Sequence, residues 1–388
     1  MSEMTFNKHM PAIVIVGYNR IDSIKRLIGS VLSADVPNGV PLIISIDYSG
    51  DNEVENYVRK IMWPYGDIRI IAHSENLGLK KHILYCGDLT NEYGSIILLE
   101  DDLYVSKYFY NYATAALNFY ERDEHVSGVS LYSFAFNINS DTPFKPLSCD
   151  DVYFLQQASS WGQAWSKSKW NKFRCWLEMT DFSMIESKLP NRIREWPESS
   201  WLKLFNGYNI VENCYFVYPI VSYSTNFGDA GTHFINDSDR YQVNLSMNKK
   251  DIAFVKFENS IAVYDIYMEL LPEKIKKVCP VLQDYDFCVN LNNKKVIEFE
   301  TSDYVLTTIF HDSFVLSFDG GMKPKEQALV FSLLGKGIYL LPRKNTPPIR
   351  FLDSFISYRS YYKMPSLQVI CGAFLFYVTR VIRGLCKS

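Results

Sequence analysis

Four times within the first hundred residues, an apolar run rich in β-branched residues ends on a polar cluster and is followed by a helical pattern. No other feature constrains the fold as strongly. Pro11–Gly17 (PAIVIVG) is apolar throughout, as a strand buried on both faces would be, and gives way to Tyr18, Asn19 and Arg20. Asp22 or Ser23 is expected to cap a helix running to about Ser33, with Ile24, Leu27, Ile28 and Val31 on one face. Leu42–Ile46 closes on Asp47 and precedes a helical stretch near Glu53–Met62. Ile68–Ala72 is followed by His73-Ser-Glu-Asn-Leu-Gly78 and a helix over about Leu79–Cys86. Ser95–Leu99 ends on Glu100, Asp101 and Asp102. Such alternation predicts a mostly parallel sheet with flanking helices, an α/β Rossmann-like architecture whose ligand site lies beyond the carboxyl ends of its strands. All four polar clusters fall at such ends.

The rest of the chain has a different texture. A helical stretch from Ser106 to about Asp123 would cover the sheet, and residues 150–235 are loop-rich and aromatic. Past about 250, short alternating runs such as Lys295–Glu300 and Ser313–Phe318 suggest a smaller β-rich module ending near Pro342. The expected organisation is a main domain over 1–250, an accessory module over 251–342 and a tail over 343–388. The tail holds eight basic residues and one acid, net +7, whereas residues 1–342 hold 32 basic and 42 acidic residues, net -10. Its stretch Met364–Thr379 carries no charge; as a helix it would be roughly 24 Å long, too short to span a ~30 Å hydrocarbon core. A basic amphipathic helix lying on a membrane surface is therefore expected, against the plainer reading of a helix docked on its own domain or on a second subunit.

Composition closes off other classes. Hydrophobic residues at 47% and charged residues at 21% describe a folded globular chain, and a net charge of -3 offers no general reason to expect nucleic acid as partner. Eight cysteines form neither a CxxC pair nor a Cys/His cluster, and MSEMTFNKHM is too polar for a signal peptide. The expected setting is reducing and cytoplasmic, peripheral on the cytoplasmic face of a membrane.

Glu100-Asp101-Asp102 is the sharpest chemical feature. Adjacent carboxylates directly after a buried strand repel one another unless a cation neutralises them, and a hard divalent ion, Mn²⁺ or Mg²⁺, takes one or two carboxylates together with diphosphate oxygens. An isolated acidic turn would be the plainer reading elsewhere in a chain. At the end of the fourth strand it points to metal–diphosphate binding. Asp47 is placed either to bind a base or ribose or simply to start a turn, and Arg20 either to contact phosphate or to sit on the surface. Trp161, Trp165 and Trp201 are candidates for stacking on a sugar face, or core filler.

Taken together, IVIVGYNR, the strand ending in Asp47, the SENLGL loop and the LLEDD strand end resemble the GT-A glycosyltransferases that use nucleotide-sugar donors. Their order is similar to that in the N-acetylglucosaminyltransferase I group and in bacterial transferases that assemble O-antigen, capsule and other surface glycans. SSWGQAW at 159–165, EWPESSW at 195–201 and NFGDAGTH at 226–233 extend the likeness over roughly residues 10–240. The resemblance implies that Asp102 is the metal ligand, with His233 approaching the metal or pyrophosphate. Tyr18, Asn19, Arg20, Asp47, Asn76, Gly78, Glu100 and Asp101 would contact the donor. It also implies a general base before a Trp, for which Glu198 is the best match; Ser199 and Ser200 depart from that pattern, so Asp229 is a rival. The implied reaction is metal-dependent and inverting. A sugar would move from a nucleotide-diphosphate donor, a UDP-sugar such as UDP-GlcNAc, to a hydroxyl of a lipid-linked or lipopolysaccharide glycan at the inner membrane. A nucleotidyltransferase is disfavoured, because no GxGxR-type run follows the first strand. The other alternative is a non-catalytic nucleotide-sugar or glycan-binding component of a polysaccharide assembly complex.

Overall fold

A computed structural model describes residues 9–147, 150–229, 239–249, 251–292, 294, 301–348 and eight positions between 368 and 379. The first half alternates as its sequence pattern predicts: β1 (Ala12–Gly17), α1 (Ile21–Leu32), β2 (Leu42–Ile46), α2 (Glu53–Val58), β3 (Ile68–Ala72), α3 (Gly78–Asp88), the single turn α4 (Thr90–Tyr93) and β4 (Ser95–Glu100). These strands pair in parallel in the order β4-β1-β2-β3. Their sides bury alternately. Ile13 and Ile15 face Ile24, Leu27, Val31 and Val54 of α1 and α2, while Ala12, Val14 and Val16 face Ile83 and Cys86 of α3. Each such fully buried Ile or Leu contributes roughly 2 kcal/mol of transfer free energy, which makes the register of these strands costly to shift.

After β4 the chain turns through β5 (Leu103–Val105) into α5 (Phe109–Tyr120), which packs Tyr112, Ala113, Ala116 and Tyr120 on the α1 side of the sheet. Next come β6 (Val126–Ser130), β7 (Val152–Leu155), β8 (Gln163–Ser166), α6 (Lys167–Met179), the single turn α7 (Asn191–Arg194), α8 (Trp201–Val211), β9 (Tyr215–Pro219), β10 (Ser224–Asn226) and β11 (Val263–Tyr264). The large sheet has nine strands in the order β11-β7-β9-β6-β8-β4-β1-β2-β3. Five of its eight pairings are parallel, and β8 enters antiparallel between β4 and β6. The sheet is therefore mixed, with its parallel half carrying the strand ends of interest.

Beyond the large sheet lie α9 (Pro272–Val278), β12 (Phe287–Asn290), β13 (Tyr304–Thr307), β14 (Leu316–Asp319), α10 (Glu326–Val330) and β15 (Gly337–Pro342). Their strands form a separate four-stranded sheet in the order β12-β13-β15-β14. Phe287, Leu306, Ile338 and Leu340 of this sheet share one buried cluster with Tyr153, Phe216 and Tyr264 of the large one. β14 takes up the end of the Ser313–Phe318 run, whereas the Lys295–Glu300 run lies outside the described residues. Most of the expected tail helix also lies outside them. Its described positions, Gln368, Cys371, Gly372, Phe374–Phe376, Val378 and Thr379, are helical, with Phe374, Leu375 and Phe376 exposed. Among the described residues no helix is long and apolar enough to cross a membrane.

The expected cap of α1 is corrected. Arg20, not Asp22 or Ser23, is the N-cap residue, and it makes no side-chain cap hydrogen bond. Asp22 and Ser23 lie within the first turn, Asp22 near Lys25 and Ser23 committed to a residue two hundred positions away.

Candidate active site

β1 lies between β2 and β4, so the chain's direction of travel across the sheet reverses there, and a crevice opens beyond the strand ends at such a point. Val16 pairs with Glu100 across β1 and β4, which sets the loop Tyr18-Asn19-Arg20 beside Glu100-Asp101-Asp102. A cleft of about 440 Å³ opens at that place. Tyr18, Asn19, Arg20, Asp47, Asn76 and Gly78 all line it, as do Glu100, Asp101 and Asp102. The parallel half of the sheet thus brings together every donor-side candidate read from the sequence.

The acidic run is partly neutralised from within the chain. Arg20 Nη2 donates to Asp101 Oδ1, and Arg20 Nη1 donates to Asp102 Oδ2 at 3.4 Å. Burial pushes the Asp101 carboxyl up to about 6, against the pull of Arg20. Glu100 is held well above the ordinary carboxylate range, by burial first and then by Asp102 and Asp101. Arg20 is raised above its ordinary value by the three acids, which outweigh its own burial. Two oxygens of the run, Glu100 Oε1 and Asp102 Oδ1, are buried without a hydrogen-bond partner. Buried carboxyl oxygens without a protein partner favour a cation, and their hard chemistry suits Mg²⁺ or Mn²⁺ with ligand oxygens completing the shell. Among the described residues no group of three or more His, Cys, Asp and Glu is arranged to hold a metal by itself.

Asp47 is more occupied than either of its sequence readings implied. Its Oδ1 accepts the N–H groups of Tyr48 (2.9 Å) and Leu77 (2.8 Å), and its Oδ2 accepts that of Gly78 (3.0 Å). It thereby satisfies the first amides of α3 and ties the end of β2 to the start of that helix. Gly78 has φ +74, which a side-chain-bearing residue rarely adopts. Asn76 Nδ2 bridges the Tyr48 carbonyl (2.9 Å) and the Tyr18 hydroxyl (3.3 Å), closing the rim of the cleft.

The opposite wall arrives from far along the chain. β10 pairs antiparallel with β5, matching Asn226 to Leu103, and Phe227 N–H donates to the Asp102 carbonyl at 2.8 Å. Asp229 is carried into the cleft by this pairing. Its Oδ2 accepts Ser23 Oγ (2.7 Å) and Arg26 Nη2, and the Arg26 guanidinium lies 3.7 Å over the Phe227 ring. Glu198 does not line the cleft: its side chain is exposed in the turn before α8, and its carbonyl accepts Lys80 Nζ at 3.0 Å. In that turn Ser200 Oγ accepts Lys203 N–H, so one of the two serines that interrupt the expected acid–Trp pattern starts a helix. His233 lies outside the described residues.

Of the three tryptophans, only Trp161 lines the cleft, its ring packed on Tyr132 and Tyr241. Trp165 and Trp201 are fully buried between the sheet and α6–α8, which corrects their reading as sugar platforms. Sequence reasoning missed His82, Ser160 and Asn226 in the lining. His82 shares a face of α3 with Gly78, four residues earlier, a spacing visible in the sequence. Its Nε2 meets Ser45 Oγ at 2.7 Å, and burial pushes it down to about 4, so it is neutral.

No family model matches this chain. It is 22% identical over 320 residues, 76% of its length, to an alpha-1,3-mannosyl-glycoprotein 2-beta-N-acetylglucosaminyltransferase of Arabidopsis thaliana. The match spans 64% of that protein, less than two thirds of its length. Among solved structures, residues 1–349 of S. aureus TarS are similar over 55% of this chain and 59% of that one, at 12% identity and a TM-score of 0.36. The mannosyltransferase PcManGT from Pyrobaculum calidifontis, in complex with GDP-Man and Mn²⁺, is similar over 42% of this chain and 46% of that one, at 14% identity and a TM-score of 0.31.

Proposed function

We propose that this chain is a glycosyltransferase acting on a nucleotide-diphosphate sugar, with the cleft beyond β1 and β4 as its donor site. The observation that carries this reading is the pair of unpartnered carboxylate oxygens, Glu100 Oε1 and Asp102 Oδ1, in a cleft at the reversal point of a parallel sheet. When bound there, a divalent ion supplies positive charge to the departing nucleoside diphosphate. Asp102, with Glu100 behind it, would hold that ion; Arg20 and Asn19 would orient the diphosphate and nucleoside. Asp229 is favoured over Glu198 as the base that takes the acceptor hydroxyl's proton, because it lines the cleft and Glu198 does not. Trp161 is the aromatic placed to face a sugar ring. Direct, inverting displacement suits this inventory, and the similarity to an N-acetylglucosaminyltransferase favours UDP-GlcNAc as donor. The net +7 tail favours a lipid-linked glycan acceptor at the cytoplasmic face of a membrane.

One observation favours the second reading, a non-catalytic binding component: Asp229 spends Oδ2 on Arg26 and Ser23, and Glu198 stands outside the cleft. Melting curves with UDP, GDP, CDP and their sugars, with and without Mn²⁺, are coupled to an assay of nucleoside diphosphate release. A ligand at ~100 times its dissociation constant stabilises the folded state by about 2.7 kcal/mol, a rise of several degrees. The expected result is a metal-dependent shift for one nucleotide, with release lowered about 100-fold or more in Asp102→Ala. A shift without any release, with or without added glycan acceptors, favours the binding component; no shift with any nucleotide sinks the donor-site reading.

A further inference from the structure

The cleft is lined by five acidic side chains, those of Asp47, Glu100, Asp101, Asp102 and Asp229; Arg26 offsets Asp229 from outside the lining, and Arg20 is the single Lys or Arg that lines the cleft among the described residues. An anionic diphosphate cannot approach such a wall without cations to receive it. The chain's own cation is already engaged, because two separate nitrogens of Arg20 are committed to Asp101 and Asp102. We propose that Arg20 is the site's resident counter-cation: it occupies the acidic run in the unliganded protein and withholds it from a free divalent ion. A nucleoside diphosphate draws the guanidinium onto its phosphates, so that metal and diphosphate enter as one unit. This inference rests on the metal–diphosphate reading of the cleft and adds an order to it.

Three observations carry it. The Arg20 fork reaches Asp102 through Oδ2 and leaves Oδ1 bare, so the carboxylate best placed for a metal is half claimed by another cation. Two cations on one carboxylate repel each other, and a guanidinium fits phosphate oxygens as well as carboxylate oxygens, so an exchange of partners relieves the conflict. Among the described residues no three His, Cys, Asp or Glu side chains are arranged to hold an ion unaided, which leaves coordination positions that diphosphate oxygens can take. Arg20 also borders the cleft: it precedes the first turn of α1, and its side chain is one-quarter exposed.

The test is calorimetric titration of Mn²⁺ into the full chain, alone and with saturating UDP, GDP or CDP, for wild type, Arg20→Gln and Arg20→Lys. Wild type is expected to bind Mn²⁺ alone at least about tenfold more weakly than with the matching nucleotide, and Arg20→Gln to tighten binding of Mn²⁺ alone about tenfold, narrowing that gap. Arg20→Lys keeps a charge but loses the fork; it is expected to fall between the two and serves if Arg20→Gln does not fold. Unchanged or weaker binding of Mn²⁺ alone in the folded variants, with wild type still nucleotide-dependent, overturns the role of Arg20 alone. Tight binding of Mn²⁺ alone to wild type overturns it as well. Failure of wild type to bind Mn²⁺ with any of the three nucleotides defeats the metal–diphosphate reading, and this inference with it.

Discussion

At the scale of single residues, position in the fold gives one side-chain type several different tasks. Asp47 spends its carboxylate on three backbone amides, Asp101 meets Arg20, Asp102 keeps one oxygen bare and Asp229 is tied to α1. The sequence located Asp47, Asp101 and Asp102 because they follow apolar strands, and Asp229 only through the likeness carried by NFGDAGTH, but their partners lie up to two hundred residues away. Arg26 and Ser23 were illegible for that reason: nothing on α1 announces a contact with residue 229. His82 shows how burial sets chemistry. Its folded value of about 4 lies below the ordinary 6.5, so the unfolded chain binds its proton more tightly than the folded one does. The stability it confers is complete above 6.5 and is lost as pH falls toward 4, about 3 kcal/mol in all for a ring this buried. Urea unfolding at pH values on either side of that window should show His82→Gln losing correspondingly less stability on acidification than wild type. An equal loss would mean that the ring is hydrated or protonated in the folded state.

Elements explain why the site is rigid on one side and assembled on the other. β1 to β4 were legible almost to the residue: β1, β2 and β4 are buried on both faces and so are apolar almost throughout, while β3, the edge strand, kept enough apolar β-branched residues to be read despite its exposure. β8 was not. Its four residues, Gln163–Ser166, belong to the SSWGQAW segment, where the indoles suggested ligand contact rather than a strand placing Trp165 in the core. The α3 N-terminus depends on Asp47, because no side chain of the helix's own N-cap residue serves it. Asp47→Ala should therefore cost about 2 kcal/mol, and more if the Leu77 and Gly78 amides are left dry, as read from urea midpoints. Asp47→Asn should recover part of that loss. A loss of less than a few tenths of a kcal/mol would show that water replaces the carboxylate.

For the whole molecule, charge is divided as fold is. The net -10 of residues 1–342 opposes adhesion to an anionic surface, and the net +7 tail invites it. The full chain should co-float with vesicles containing about one-third anionic lipid and detach at about 0.5 M salt, where the Debye length falls below ~5 Å. Equal recovery on neutral vesicles, or none on anionic ones, would remove the membrane from the proposed function. Binding that survives salt would assign it to apolar insertion, toward which the exposed Phe374, Leu375 and Phe376 point.

By itself the sequence determined what depends on local pattern. That covers the parallel half of the sheet, the polar ends of its strands, the acidic run and the existence of a second β-rich unit, because apolar periodicity and the cost of burying adjacent charges act over a few residues. Only the tertiary structure decided which of those groups meet. It set Arg20 on Asp101 and Asp102, used up Asp47 on α3, brought Asp229 across on β10 and left Glu198 outside the cleft. Strand pairing and ion pairing between distant segments are settled by packing and topology, and no short stretch of sequence encodes both partners of such a contact.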